Sequence, residues 1–178
     1  MAKYPVFAVG QRLTADLLSL GEKNTAVKLT STLRASTIAY SDDPELTISG
    51  EAGTFCIELD MIASGAAAAS GGDINVQWTT TGTFISGAYR CTGGAAVVSE
   101  NPTGITTTRW RAHALGTVTP FGYPTDNGAT NLTTIHEIVP AATFTTAWSV
   151  TIQWTQNTSN ATSTIVYNGS TLSATRLA

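Results

Sequence analysis

The sequence predicts an all-β domain, an antiparallel β-sandwich or jelly roll, on three observations. First, long stretches alternate in polarity. Across residues 54–63, Phe55, Ile57, Leu59, Met61 and Ala63 fall on one side, and Thr54, Cys56, Glu58 and Asp60 on the other. Across residues 147–155, Trp148, Val150, Ile152 and Trp154 alternate with Ser149, Thr151, Gln153 and Thr155. Successive side chains of a strand point to opposite faces, so both stretches are half-buried strands. Second, turn residues punctuate the chain at short intervals, from Asp42-Asp43-Pro44 to Asn168-Gly169. Third, helix signals nearly vanish after Thr25, whereas β-branched and aromatic residues keep recurring. About ten or eleven short strands at this spacing suit two packed sheets.

Residues 1–24 read differently from the domain that follows, residues 25–178. Tyr4-Pro5-Val6-Phe7-Ala8-Val9 is a short extended apolar piece. Thr14 stands where an N-cap belongs, Asp16 in the first turn, and Gly21 at the C-terminal end of one to two helical turns. So short a helix needs a surface to lean on. Tyr4, Pro5, Val6, Phe7, Leu13, Leu17 and Leu18 are therefore candidates for anchoring on a partner, or else a local lid over the sandwich.

The domain itself reads as a series of strands. Val27 and Leu29 alternate with Lys28 and Thr30, residues 36–40 form a second short strand, and Leu46 and Ile48 lie in a third beyond the Asp42-Asp43-Pro44 turn. Ile74, Val76 and Trp78 alternate with Asp73, Asn75 and Gln77. Residues 84–91 form a strand weakened by Gly87, and Gly93-Gly94 breaks the chain. Residues 105–118 look extended, and residues 132–139, with Ile135, Glu137 and Val139 in alternation, end at Pro140. Asn168-Gly169 predicts a type I′ hairpin between residues 163–167 and 170–177. Phe55, Ile57, Leu59, Trp78, Trp148, Val150, Ile152 and Trp154 are the predicted core or subunit packing.

Composition bounds function more than it defines it. The chain has 178 residues, 32 of them Thr, and only 12% charged, so its polar faces are wetted by hydroxyls rather than by charge. Such faces suit packing of subunit against subunit, because few charges would be stripped of water. The net charge is −3 and the cations are scattered, which gives no footprint for nucleic acid. The chain opens without the apolar core of a secretory signal, and no run is apolar enough to span a bilayer, so synthesis in the cytoplasm is expected.

No catalytic, metal or cofactor constellation stands out. His113 and His136 lack metal spacing, and no G-x-S-x-G elbow, P-loop or dinucleotide fingerprint is present. Glu58 and Asp60 share a face and could serve acid–base chemistry or bind a cation, but a solvated strand face is the simpler account of them. Arg109, Arg111 and His113 form a basic row that could meet an anion, or simply water. Phe121 and Tyr123, in the irregular stretch 120–128, are the candidate ligand loop for a sugar, with Trp110 as a third aromatic, unless they pack on a partner or, more simply, against their own domain. Cys56 and Cys91 are expected to be reduced thiols.

Several segments together resemble a family of virion proteins from phages and prophages of actinobacteria, the minor tail proteins. They are Tyr4-Pro5-Val6-Phe7 with Gly10-Gln11-Arg12-Leu13-Thr14-Ala15, then Asp42-Asp43-Pro44-Glu45-Leu46, and near the C-terminus Gln153-Trp154-Thr155-Gln156, Ser159-Asn160-Ala161-Thr162, Gly169-Ser170-Thr171-Leu172 and Arg176-Leu177-Ala178. Residues 65–128 carry none of these motifs. The resemblance implies a jelly roll similar to that of tumour necrosis factor, assembling as a homotrimer. It also implies a structural, non-enzymatic place on the virion, on a tail or on the capsid exterior, next to other capsid or tail proteins. No coiled-coil heptads or collagen-like repeat supplies a fibre shaft. The alternative function is a carbohydrate-binding adhesin that meets a host surface glycan.

Overall fold

The computed structural model describes residues 22–65, 74–86, 88–94, 108–114, 118–121 and 132–178. Its strands are β1 (Lys23–Val27), β2 (Thr32–Arg34), β3 (Ser41–Gly50), β4 (Gly53–Ser64), β5 (Ile74–Thr81), β6 (Phe84–Ser86), β7 (Ala88–Gly94), β8 (Thr108–Ala114), β9 (Thr119–Phe121), β10 (Thr133–Phe144), β11 (Trp148–Gln156), β12 (Thr164–Val166) and β13 (Thr171–Arg176). One sheet runs β1-β13-β4-β10-β7-β8, and the other runs β3-β11-β5-β9. Numbered one to eight along the chain, β1, β3, β4, β5, β9, β10, β11 and β13 lie as 1-8-3-6 in the first sheet and 2-7-4-5 in the second. That is the strand order of a jelly roll, with antiparallel pairing throughout. The β7–β8 pair widens the first sheet beyond β10.

The alternation in the sequence decides which face each strand buries. Phe55, Ile57, Leu59, Met61 and Ala63 of β4 point inward, against Ile74, Val76 and Trp78 of β5 and Trp148, Val150, Ile152 and Trp154 of β11. All eight residues predicted for core or subunit packing lie inside this one chain. Trp148 stacks on Phe144 at 4.6 Å between centroids and meets Phe55 edge-on at 4.9 Å. The outer face of the second sheet is held by hydroxyls: Thr47 bonds Thr151 at 3.0 Å, and Thr81 bonds Ser149 at 2.8 Å. Here the threonine-rich composition becomes a cross-strand ladder.

Five local expectations are corrected. Residues 36–40 are not a strand, and β2 lies earlier. Asp42-Asp43-Pro44 is not a turn between strands but part of β3, where the register against β11 jumps from Thr47↔Thr151 to Asp42↔Gln153. The turn chemistry survives inside that bulge: Asp43 Oδ1 accepts the N–H of Glu45 at 3.1 Å and of Leu46 at 3.2 Å. Pro140 does not end its strand, because β10 bulges between Val139 and Ala142, where a missing N–H is tolerated. Gly93 and Gly94 pair with Arg109 and Thr108 instead of breaking β7. Asn168-Gly169 does not close a hairpin: β12 and β13 both pair with β4, end to end along its edge. Gly169 has φ 90°, while Asn168 is not among the positive-φ residues, so the pair of left-handed residues a type I′ turn needs is absent.

The predicted 1–24 segment falls almost wholly outside the described residues, its helical turn and anchoring side chains included. Lys23 already pairs with Thr175 in the first sheet.

Gly82 shows how tightly the second sheet ends. It has φ 81°, and a Cβ there would stand 2.5 Å from the carbonyl oxygen of Ala147. Gly82→Ala should lower stability by about 1–3 kcal/mol, read as a fall in thermal midpoint, because it meets both a left-handed backbone and a carbonyl.

Candidate functional site

The most constrained polar cluster lies where β1 runs out. The alternation that turns Val27 and Leu29 outward turns Lys28 inward, and its side chain is fully buried. Its Nζ donates to Asp43 Oδ1 and Oδ2, both at 2.9 Å, and to Thr32 Oγ1 at 2.7 Å, with Glu45 Oε2 at 3.5 Å. Asp43 is equally buried, and its Oδ2 accepts the indole N–H of Trp154 at 3.0 Å. Burial opposes the charge on Glu45, but the N–H and hydroxyl of Thr30, the N–H of Leu29 and the Lys28 ammonium outweigh it and hold that carboxyl below its ordinary value. Arg34 lies 3.8 Å over the Trp154 ring and donates to the carbonyls of Ser41, Asp42 and Trp154. Burial lowers the Arg34 pKa, and Asp43 and Asp42 pull the other way.

This cluster fastens residues 28–45 onto β11 and so fixes what that segment shows to solvent. Leu29 is 75% exposed, Leu33 60% and Ile38 61%, beside a half-exposed Val27. Among the described residues, β1 pairs only with β13 and β2 only with β12, so both edges are open. An apolar rim beside open strand edges is the kind of surface a partner covers.

At the opposite end of β1 a cavity of about 330 Å³ lies between the sheets. Phe55, Trp148 and Ala174 floor it, and Glu22, Lys23, Asn24, Glu51 and Arg176 rim it. Asn24 spans the two sheets through a 2.9 Å bond to the Ser49 carbonyl. The described chain begins here, with the Glu22 carbonyl accepting from the Arg176 N–H at 3.0 Å.

The remaining sequence candidates separate. Asp60 meets His136 across strands, Oδ1 to Nδ1, at 2.7 Å on the outer face of the first sheet. Glu58 stands opposite Ile138 and Ser173, so the two carboxylates face different partners instead of each other. Phe121 is no ligand-loop residue. It is fully buried in β9, opposite Ile74, because the strand runs through Pro120 and carries the ring into the core. Tyr123 lies outside the described residues. Arg109, Trp110, Arg111 and His113 stand on β8 at the register positions of Gly93, Thr92, Cys91 and Tyr89. Cys56 and Cys91 are not joined in a disulfide, and burial, with Glu58 adding to it, pushes the Cys56 thiol up. Among the described residues no group of three or more His, Cys, Asp or Glu could hold a metal ion, and no helix is long and apolar enough to cross a membrane.

Two functional side chains escape sequence reasoning. Lys28 looked like the polar side of a strand whose apolar side was Val27 and Leu29; the polarity is inverted. Glu137 is the second. It sits on the inner face of β10 with Ile135 and Val139, fully buried, and its Oε2 accepts the indole N–H of Trp78 from the opposite sheet. Its Oε1 has no hydrogen-bond partner. Burial pushes its carboxyl up to about 7, against the lowering effect of the Trp78 bond. The clue was a lone acid in an otherwise apolar alternation.

No protein-family model matches the sequence, and neither a curated protein nor a solved structure does.

Removing one partner of a buried ion pair strands the other. Asp43→Ala should therefore cost about 3–5 kcal/mol in urea unfolding. The double change Lys28→Met with Asp43→Asn should recover much of that loss, since no charge is then left buried and the amide oxygen remains as an acceptor for Trp154.

Proposed function

We propose that the chain is a non-enzymatic structural protein of a phage virion, a tail or exterior decoration component, that assembles as a trimer and is held to the particle by residues 1–24. One observation carries the reading. Segments that resemble the minor tail family and lie far apart in sequence hold one another in space. Trp154 donates to Asp43 at 3.0 Å and Gln153 to Asp42 at 2.8 Å. A resemblance made of mutually bonded segments is a resemblance of framework, and a framework protein is what the family supplies.

The apolar rim of Val27, Leu29, Leu33 and Ile38 gives subunits ground for contact, and the sparse charge keeps the cost of burial low. The groove between Glu22 and Arg176 marks the end from which residues 1–21 lead, so attachment and subunit contact would occupy different ends of β1. The carbohydrate-binding alternative loses support, because one of its two loop aromatics, Phe121, belongs to the core.

Deleting residues 1–20 should leave a folded trimer that no longer enters particles, scored by immunoblotting of purified virions. Incorporation at the normal level would overturn the anchor. Leu29→Ser with Leu33→Ser should reduce the light-scattering mass from trimer to monomer without a comparable loss in thermal midpoint, because both side chains are already in water.

A further inference from the structure

Glu137 is a fully buried acid with no cation against it among the described residues, unlike Asp43, which Lys28 meets. It lies fully buried on β10, in a layer otherwise filled by Leu59, Ile135, Val139, Val150 and Ile152. Its side-chain bond among the described residues crosses from the first sheet to the second, where Trp78 of β5 donates to Oε2. The other oxygen is unpartnered. A carboxylate in apolar surroundings with a single donor is far more expensive than a neutral carboxyl in the same place.

We infer that Glu137 is a proton-operated latch in the sandwich: protonated, it sits in the apolar layer with Trp78 donating to it; ionised, it places a charge there with one oxygen unpartnered, a cost the Trp78 bond only partly offsets, and destabilises the sandwich. The groups around it leave the proton as the variable. Across β4 it faces Leu59, and from β5 Trp78, neither of which titrates. Across β7 it faces Cys91, a thiol that offers no positive charge. On its own strand His136 points to the opposite face, where it is engaged with Asp60.

The direction follows from linkage. The folded carboxyl, at about 7, holds its proton more tightly than the ordinary value of 4.5 shown by an unfolded chain. Between those values the folded state binds more protons, so stability falls as pH rises. The full stability contribution is present below about 4.5 and is lost once pH has risen through about 7. Over that window the ratio of folded to unfolded protein should drop roughly 300-fold from this group alone.

The test compares thermal unfolding of the intact protein and of Glu137→Gln from about pH 5 to pH 8. Glutamine keeps an oxygen for the Trp78 N–H and cannot ionise. The wild type should lose thermal midpoint across the window, and the variant should lose much less. Parallel curves would overturn the latch, since they would assign the pH dependence to other groups. Should the variant fail to fold, carbon-13 NMR of the wild type labelled at glutamate carboxyls decides the matter. A Glu137 midpoint near neutrality supports the latch, and one in the ordinary carboxylate range overturns it.

Discussion

A buried indole N–H must find an acceptor, and three tryptophans of this core impose that demand. Trp154 is answered by Asp43, Trp78 by Glu137, and Trp148 by the Glu51 carbonyl at 2.9 Å. The rings fill the space between the sheets, which drives folding. Their N–H groups then dictate which polar atoms must follow them inside. Asp43 can follow because Lys28 neutralises it; Glu137 follows without a cation. The two sites share a geometry and differ in charge balance, so one is a permanent clamp and the other depends on a proton.

The clamp connects packing to display. Asp43 reaches Trp154 only because β3 bulges around Pro44, and the bulge aims its carboxylate at Lys28. With Lys28 held inward, its neighbours Val27 and Leu29 have nowhere to go but outward. An exposed apolar rim is thus a consequence of an interior ion pair, and the clamp and the rim are two sides of one short segment.

The fold was legible wherever periodicity was long. The alternation over β4, β5 and β11 named the inward residues correctly, because ten residues of period two leave little freedom for a register slip. Short signals misled. Asn168-Gly169 has the composition of a hairpin, but β4 offers both flanking strands a better partner than each other. Pro140 reads as a stop, yet a bulge accommodates it. Lys28 and Glu137 were misplaced or passed over for a common reason: a single polar residue does not reveal from sequence whether a partner waits for it across the sandwich. Those partners, Asp43 and Trp78, are set by tertiary packing across 15 and 59 positions of chain.

The placement of β13 bears on how such a chain reaches this state. It is inserted between β1 and β4, bonded to both. Until residues 171–176 have cleared the ribosome, β1 has no hydrogen-bonding neighbour among the described strands, and β4 lacks its partner along that edge. Pairings of such long sequence separation make for slow folding. Nascent chains of this protein would therefore wait, with adhesive strand edges uncovered, and would depend on low local crowding or on chaperones during synthesis.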